Sequence, residues 1–358
     1  MINVTKTFLP DFDEYVKILK RAWDKAWITN NGELVQELEL KLKEYLGVKH
    51  LLFTNNGTIV LQMALKAYNI TGEVITTPFS YVATTNVILW ENCKPVFVDI
   101  EPHTFCIDAT KIEKAITKDT QAIMATHVYG YPCAVGQIKT IAEKHKLKVI
   151  YDGAHAFGCT FNGKPLLGYG DISTCSFHAT KIFHTVEGGC IISDDDGLIE
   201  KLKLYRSFGH IGDEHFSIGV NGKNSEFHAA MGLCNLPYLP EIIESRKKIS
   251  GWYDELLKGL PVQRPVAPAG LVYNYAYYPV VFQSEIVLKK IQIALQAEQI
   301  NTRRYFYPSL NRLPYLQGVG SCPVSEDIAL RVLCLPLYFD LAKNDVDRIG
   351  GIIQRTLQ

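Results

Sequence analysis

Residues 147–156 read Leu-Lys-Val-Ile-Tyr-Asp-Gly-Ala-His-Ala, a short apolar run that ends in an acidic residue and a turn. Six more runs of this kind lie between about residues 49 and 194, at 50–54, 73–77, 95–99, 121–126, 172–177 and 189–193. Helical patterns, for example at 58–68 and 135–145, separate the runs. Seven short strands that alternate with helices predict an α/β fold, with a mostly parallel sheet covered by helices on both faces. Ligands of such sheets bind beyond the carboxyl ends of the strands.

The segments on either side of this region predict further helices and a domain boundary. Apolar spacing indicates amphipathic helices at 11–27 and 33–45, and again at 227–236 and 242–257. Four prolines in 261–268 then mark a linker. We therefore expect a large domain over residues 1–245, which includes the N-terminal helices, and a smaller C-terminal α+β domain over residues 246–358.

The composition is that of an ordinary globular protein. Lysine plus arginine and aspartate plus glutamate each number 37 in 358 residues, so the charge does not favour nucleic acid or an anionic membrane as a partner. The sequence has no apolar run as long as a signal-peptide core or a membrane span, and we expect a cytoplasmic protein. The nine cysteines are odd in number and include no Cys-x-x-Cys pair, which favours reduced core cysteines over a metal cluster.

A lysine follows the strand predicted at 172–177, in Ser-Phe-His-Ala-Thr-Lys181. Most lysines are solvated surface charges, but one in a partly buried, electropositive turn can keep a neutral amine and form a Schiff base with an aldehyde. Asp152 ends another strand, where its carboxylate could pair with the pyridine nitrogen of pyridoxal 5′-phosphate (PLP). An aspartate after a strand also commonly caps the next helix. Taken together, the two residues favour a PLP-dependent enzyme whose catalytic residue is Lys181.

A phosphate site is indicated where the strand at 50–54 meets the next helix. Asn56-Gly57-Thr58 offers backbone amides at a helix N-terminus there, and Gly57 allows a close approach. Ser176 offers a second hydroxyl, from the strand that leads to Lys181. Asn-Gly junctions are also frequent structural turns, so this signal is weak without the others.

These motifs together resemble the DegT/StrS-type sugar aminotransferases, which are PLP enzymes of the aspartate-aminotransferase (type I) fold that act on nucleotide-linked keto-sugars. The resemblance covers nearly the whole chain. It rests on 27–32 (Trp-Ile-Thr-Asn-Asn-Gly), 56–58 (Asn-Gly-Thr), 81–86 (Tyr-Val-Ala-Thr-Thr-Asn), 127–130 (His-Val-Tyr-Gly), 152–156 (Asp-Gly-Ala-His-Ala), 176–181 (Ser-Phe-His-Ala-Thr-Lys), 187–189 (Glu-Gly-Gly) and 219–222 (Gly-Val-Asn-Gly).

The resemblance implies a cofactor site made of Gly57, Thr58, Tyr81, Asp152, His155, Ser176, Lys181 and Asn221. Residues 57–58 and Ser176 would bind the phosphate, Tyr81 would stack on the pyridine ring, and His155 would approach its phenolic oxygen. Lys181 would hold the cofactor and move the proton of the reaction. Without these motifs, Tyr81 is an ordinary half-buried aromatic and His155 an ordinary core histidine.

The resemblance also implies a homodimer with shared active sites, in which Asn221 reaches the partner's cofactor phosphate. The family's usual pattern there is Asn-x-Arg. In this sequence Lys223 replaces the arginine and Gly222 precedes it. The geometry of this loop is therefore open.

Six substrate contacts are implied, which are Thr29, Asn30, Asn31, His178, Arg304 and Tyr307. The paired arginines 303–304 suit a diphosphate, although a solvated helix end explains them equally well. Tyr305 and Tyr307 could stack on a nucleotide base or pack within the small domain.

The implied reaction is a transamination in which L-glutamate loads the cofactor as pyridoxamine phosphate (PMP) and the amine passes to a nucleotide-linked keto-sugar. Residues 29–32 and 217–232 are most similar to family enzymes that form dTDP-4-amino-4,6-dideoxyglucose from dTDP-4-keto-6-deoxyglucose, for surface polysaccharides such as the O-antigen of lipopolysaccharide. Amination at C3 of a dTDP-3-keto-6-deoxyhexose, or at C4 of a UDP-linked keto-sugar, is the alternative.

Three other classes are less well supported by the residues. A non-catalytic regulator with this fold would be expected to lack Lys181, Asp152 or Ser176, and all three are present. The related PMP-dependent sugar dehydratases have a histidine in place of the lysine. An oxidoreductase would be expected to carry Gly-x-Gly-x-x-Gly after an early strand, and the sequence has none there.

Overall fold

A computed structural model describes residues 1–316 and 318–358 of the chain. At its centre lies a seven-stranded sheet in the order β1-β9-β8-β5-β4-β2-β3. The strands are β1 (His50–Thr54), β2 (Glu73–Thr76), β3 (Lys94–Phe97), β4 (Thr120–Thr126), β5 (Lys148–Asp152), β6 (Thr160–Phe161), β7 (Lys164–Pro165), β8 (Ile172–Ser176), β9 (Gly189–Ser193), β10 (His210–Ile211), β11 (Glu214–His215), β12 (Leu271–Val272), β13 (Tyr278–Val281) and β14 (Val332–Leu335).

The central sheet is mostly parallel, which confirms the predicted fold class. Strands β8, β5, β4, β2 and β3 pair in parallel, whereas β9 runs antiparallel to both of its neighbours, β1 and β8. All seven predicted runs form strands of this sheet. Most of their side chains are buried because helices cover both faces of the sheet.

The helices are α1 (Phe12–Asp24), α2 (Glu33–Leu46), α3 (Gly57–Ala67), α4 (Val82–Trp90), α5 (Ala109–Ala115), α6 (Val135–His145), α7 (Asp196–Arg206), α8 (Glu226–Asn235), α9 (Leu239–Leu257), α10 (Glu285–Ala297), α11 (Pro323–Arg331) and α12 (Lys343–Leu357). Those predicted from apolar spacing are all present. Their ends differ by up to three residues from the predicted ones, as is usual where a helix frays.

Alternate side chains of a strand enter different cores, as the pleat of a strand requires. Leu52 of β1 packs with α3 and α7 on one face of the sheet, whereas Leu51 and Phe53 pack with α2 and α8 on the other. The N-terminus of α2 is capped from α8, because the Glu226 carboxylate accepts the backbone N–H groups of Leu34 at 2.7 Å and Val35 at 3.3 Å. The N-terminal helices are thus tied to the large core.

Helix α9 joins two separate cores. Its first residues, Leu239 and Ile242, belong to the core of the large sheet. Ile249, Tyr253 and Leu257 belong to a second core, built with β13, β14, α10 and α12. We propose that the large and small domains meet within α9, near the boundary expected between residues 245 and 246.

Two further properties bear on the expectations from composition. All nine cysteines are buried as free thiols, as expected for reduced cysteines of the core. In the part of the chain that the structure describes, no helix combines the length and apolar character needed to span a bilayer.

Candidate active site

A cavity of about 280 Å³ opens at the carboxyl ends of β2, β4, β5 and β8. Eight of the residues predicted for the site line it, namely Gly57, Thr58, Tyr81, Asp152, His155, Ser176, His178 and Lys181. A larger groove of about 460 Å³ lies at the opposite end of the sheet, beside Lys148 and Asp171, and contains none of these eight. The cavity is therefore where the predicted chemistry converges.

Asp152 is the last residue of β5 and is buried at the floor of the cavity. Its Oδ2 accepts a hydrogen bond from Thr84 Oγ1 at 2.7 Å, and its Oδ1 accepts one from the Ala154 backbone N–H at 3.1 Å. Each carboxylate oxygen thus has one protein donor and a remaining lone pair. This leaves Asp152 able to accept one more donor from the cavity.

Lys181 ends a tight turn after β8, in which its backbone N–H donates to the His178 carbonyl at 2.8 Å. The Lys181 Nζ lies 3.3 Å from the hydroxyl of Tyr277, a residue that the sequence analysis did not identify. Tyr277 is buried and immediately precedes β13, so it comes to the cavity from the small domain. The Lys181 amine therefore contacts a residue that lies 96 positions further along the chain.

His155 is buried in an aromatic cage at the wall of the cavity. Its ring stacks on Phe306, with 5.6 Å between ring centroids, and meets Tyr277 edge-on at 4.9 Å. Burial, with a further contribution from the nearby Lys181 charge, lowers the pKa of His155 well below its usual value. The Nδ1 accepts the backbone N–H of Tyr129 at 3.1 Å, so a neutral ring carries its proton on Nε2.

The N-terminus of α3 faces the cavity and packs directly on Ser176. A Cβ on Gly57 would lie 2.6 Å from Ser176 Cβ, so only glycine allows this contact. The Asn56 side chain caps the helix by accepting N–H groups from Thr58 at 2.9 Å and Ile59 at 2.8 Å. The N-terminal end of α3, where the helix dipole is positive, and the residues Thr58 and Ser176 thus line the same cavity, and together they are a donor set suited to a phosphate.

His178 stands at the mouth of the cavity. Its Nδ1 lies 2.8 Å from Thr180 Oγ1, and its Nε2 lies 3.6 Å from a carboxylate oxygen of Glu187. Glu187 and Thr180 both line the cavity as well. The side chain is about half exposed, so it can meet a ligand that enters from solvent.

The structure places Arg303, and not Arg304, at the cavity. The Arg304 guanidinium pairs with Glu285 at 3.1 Å, donates to two backbone carbonyls of α11, and stacks 3.6 Å above the ring centroid of Tyr307. These contacts hold Arg304 and Tyr307 beside α10 and α11, outside the set of lining residues. Arg303 lines the cavity beside Tyr305.

The predicted residues Thr29, Asn30, Asn31 and Asn221 lie outside the lining of this cavity. Asn31 and Asn221 are linked, however, through the neighbouring residues Arg206 and Ser207. Arg206 Nη2 donates to Asn31 Oδ1 at 3.3 Å, and the Asn221 carbonyl accepts from Asn55 Nδ2 at 2.9 Å, one residue before the cap of α3. The backbone of Asn221 also bridges to Ser207, next to Arg206.

The residues that the sequence analysis missed come from two places. Tyr277 lies far along the chain, after α9, and no local motif marks it. Arg303 was named as one of the paired arginines, but Arg304 was predicted as the substrate contact. Thr84 lies inside the 81–86 motif, and its position one turn after Tyr81 is the signal that could have identified it. Its role depends on Asp152 being adjacent, which follows from the order of the strands in the sheet.

Comparison with known proteins identifies the family of the chain. The chain matches the DegT/DnrJ/EryC1/StrS aminotransferase family over residues 11–354. It is 41% identical to a dTDP-4-amino-4,6-dideoxy-D-glucose transaminase of Shigella dysenteriae, with 99% of this chain and 98% of that protein covered. It is 42% identical to an Escherichia coli protein of the same name, with 98% of each covered.

A solved structure gives the same result for the fold. The crystal structure of DesI in the presence of its TDP-sugar product matches with a TM-score of 0.95 at 32% identity, and covers 100% of this chain and 93% of that one. The family match extends over nearly the whole chain, and the sequence relatives are similar from end to end. The chain therefore belongs to the DegT/DnrJ/EryC1/StrS aminotransferase family.

Proposed function

We propose that this protein is a PLP-dependent aminotransferase that moves the amino group of L-glutamate to C4 of dTDP-4-keto-6-deoxyglucose, giving dTDP-4-amino-4,6-dideoxyglucose. One observation carries the proposal: Lys181, Asp152, His155 and Ser176 line a single cavity in a chain of this family. We further propose that the reaction takes place in the cytoplasm and serves the synthesis of a surface polysaccharide.

The residues of the cavity fit PLP at each of its functional groups. The N-terminus of α3 with Ser176 suits the phosphate, and the spare lone pair of Asp152 suits the pyridine nitrogen. The Nε2–H of His155 suits the phenolic oxygen, because the Nδ1 side of that ring is already occupied. Tyr81 lines the cavity and is more than half exposed, so its ring is free to stack on the cofactor.

When bound, PLP supplies an electron-withdrawing ring that stabilises negative charge on the carbon that loses a proton. Lys181 is the base and acid that moves this proton, because its side-chain amine lies at the cavity. Tyr277 holds that amine in place through its hydroxyl. The neutral His155 ring donates a hydrogen bond through its Nε2–H and gains no charge. The Asp152 carboxylate accepts a hydrogen bond from a donor group at the floor of the cavity.

Support for the substrate comes from the relatives and from the cavity mouth. Two relatives at 41% and 42% identity carry the name of this sugar transaminase. Arg303, His178 and Tyr305 all line the cavity, and an arginine suits the diphosphate of a nucleotide sugar. We assign the diphosphate contact to Arg303 in preference to Arg304, because the guanidinium of Arg304 already has protein partners.

The proposal includes a homodimer that completes the cofactor site. Asn221 and Asn31 are linked through Ser207 and Arg206, and the chain segments that precede these two loops carry exposed apolar side chains, which are Trp23, Trp27, Phe208, Ile211, Phe216 and Ile218. Such apolar side chains gathered around a polar loop are typical of a subunit interface. In this arrangement Asn221 reaches the phosphate in the partner's cavity.

The cofactor assignment is tested by reducing the purified protein with borohydride in the presence of PLP and mapping its peptides by mass spectrometry. We expect a visible absorbance that borohydride removes, and a cofactor-derived mass on the peptide that contains Lys181. Lys181→Ala should lose both, whereas Lys164→Ala, at an exposed position of β7, should keep both. A wild-type protein that stays colourless with added PLP would contradict the proposal.

The substrate assignment is tested by NMR of the sugar product after incubation with L-glutamate and dTDP-4-keto-6-deoxyglucose. We expect the new amine at C4. An amine at C3 of a 3-keto isomer, or turnover only with a UDP-linked keto-sugar, would exclude this substrate and leave the aminotransferase class in place. Arg303→Ala should raise KM for the nucleotide sugar about tenfold or more, and Arg304→Ala should change it much less.

A further inference from the structure

Three hydroxyl groups form a continuous hydrogen-bonded chain that ends on Asp152. Thr126 Oγ1 donates to Ser80 Oγ at 3.0 Å, Ser80 Oγ lies 2.8 Å from Thr84 Oγ1, and Thr84 Oγ1 donates to Asp152 Oδ2 at 2.7 Å. All four side chains are buried, with at most 6% of their surface exposed. The chain of hydroxyls lies beneath the cavity, and Ser80 and Thr126 also line it.

The direction of these hydrogen bonds follows from the chemistry of the carboxylate. An ionised aspartate only accepts, so the single proton of Thr84 is used on Asp152. Thr84 must then accept from Ser80, and Ser80 must accept from Thr126. Every hydroxyl donates toward the carboxylate, and donors in series polarise one another in the same direction.

The chain of hydroxyls depends on tertiary structure and not on one local motif. Ser80 lies in the turn after β2, Thr84 in α4, and Thr126 at the end of β4, directly beside Asp152 in the β4–β5 register. Burying hydroxyls costs free energy unless they are bonded, so a core that needed only packing would be better served by valine or alanine at these positions.

We propose that Thr84, Ser80 and Thr126 are positioning residues for the proposed PLP reaction. They hold the Asp152 carboxylate in one orientation, with its free lone pair directed to the pyridine nitrogen of the cofactor. The inference rests on the proposed function, since it concerns the group that the carboxylate would bind. Its readouts are the affinity for PLP and the protonation of the ring nitrogen, both of which can be measured without turnover.

The chain provides a matched control within the same helix. Thr85 is fully buried next to Thr84, and its Oγ1 has no hydrogen-bond partner among the residues that the structure describes. Thr84→Val and Thr85→Val therefore make the same chemical change in the same helix. Only the first removes a donor from Asp152.

The test is titration with PLP, followed by ¹⁵N NMR of the protein loaded with PLP labelled at the ring nitrogen. For Thr84→Val we expect the Kd for PLP to rise about tenfold, as for loss of a hydrogen bond to a charged group. The ¹⁵N resonance should also move toward that of the neutral ring. Thr84→Ser should restore both values, and Ser80→Ala and Thr126→Val should give smaller changes in the same direction.

The inference is overturned if Thr84→Val and Thr85→Val give the same PLP affinity and the same ¹⁵N shift while wild type binds PLP. It is also overturned if Thr84→Ser fails to restore the wild-type values in a folded protein, as judged by circular dichroism. If wild type itself does not bind PLP, the proposed function fails together with the inference. The two failures are therefore distinguishable.

Discussion

His127 shows how strongly the core constrains a single ionisable group. The residue follows β4 directly and is completely buried, with its ring stacked 4.5 Å from that of Tyr151. Its Nδ1 accepts the backbone N–H of Cys133 at 3.1 Å, which fixes the turn that leads toward α6. Burial lowers the pKa of His127 from 6.5 to about 3, so the folded protein holds this ring neutral.

This pKa predicts a specific loss of stability in mild acid. The unfolded chain takes up a proton at His127 below about pH 6.5, and the folded chain does so only near pH 3. The stability that this residue contributes is therefore present above pH 6.5 and is lost as the pH falls. As the pH falls below about 6.5, the free energy of unfolding should decrease more steeply in wild type than in His127→Asn, by about 1.4 kcal/mol per pH unit.

The measurement is the free energy of unfolding in urea at several pH values between about 7.5 and 4.5. Asparagine at 127 can still accept the Cys133 N–H, which keeps the turn. The control is His103→Asn at an exposed position, whose curve should run parallel to that of wild type. Parallel curves for wild type and His127→Asn would contradict the assignment.

At the scale of elements, the contact of α3 with β8 leaves no room for a side chain larger than that of glycine at position 57. Gly57→Ala would place a methyl group 2.6 Å from Ser176 Cβ, so the helix must move away from the strand. We expect a loss of about 1–3 kcal/mol in the free energy of unfolding, as for other overpacked contacts. The Kd for PLP should rise at least tenfold, because the helix N-terminus and Ser176 no longer meet.

Gly136 offers a matched control for this prediction. It lies in the first turn of α6, as Gly57 lies in the first turn of α3, but nothing approaches the position of its missing Cβ. Gly136→Ala should leave PLP binding unchanged and stabilise the protein slightly, since alanine favours a helix over glycine. Equal PLP affinities for the two alanine variants would show that the contact with Ser176 is not needed for binding.

The same scale explains what the sequence could and could not predict. Asp152 and Lys181 were predictable because Asp152 ends β5 and Lys181 lies in the turn after β8, and strand ends collect at one edge of a parallel sheet. The partnership of Thr84 with Asp152 was not, because the residues are 68 apart and meet only through strand order. Arg303 and Arg304 were indistinguishable in sequence, since a difference of one residue decides which side chain faces Glu285 and which faces the cavity.

At the scale of the whole molecule, the proposed dimer predicts that inactive subunits can rescue each other. In a mixed dimer of Lys181→Ala and Asn221→Ala protomers, one cavity has an intact lysine and receives an intact Asn221 from its partner. Random reassembly makes half the dimers mixed, and one of their two sites is complete. Activity should then recover to about a quarter of wild type, above the residual activity of the Asn221→Ala protein.

The measurement is the transaminase activity after the two variants are mixed, partly unfolded so that their subunits exchange, and then refolded together. The control mixes the same variants without subunit exchange, and it should show only their separate activities. If Asn221 instead served the cavity of its own chain, exchange would restore no activity. That outcome would place Asn221 at the cavity of its own chain and would contradict the shared active site.

The order of strands also determines when the sheet can close during synthesis on the ribosome. Strand β1 lies at one edge and pairs only with β9, which follows about 135 residues later. At roughly 5–20 residues per second, the apolar segment Leu51–Phe53 waits on the order of ten seconds for its partner. Until then it is an unpaired strand edge in a growing chain, which is the kind of surface that chaperones bind.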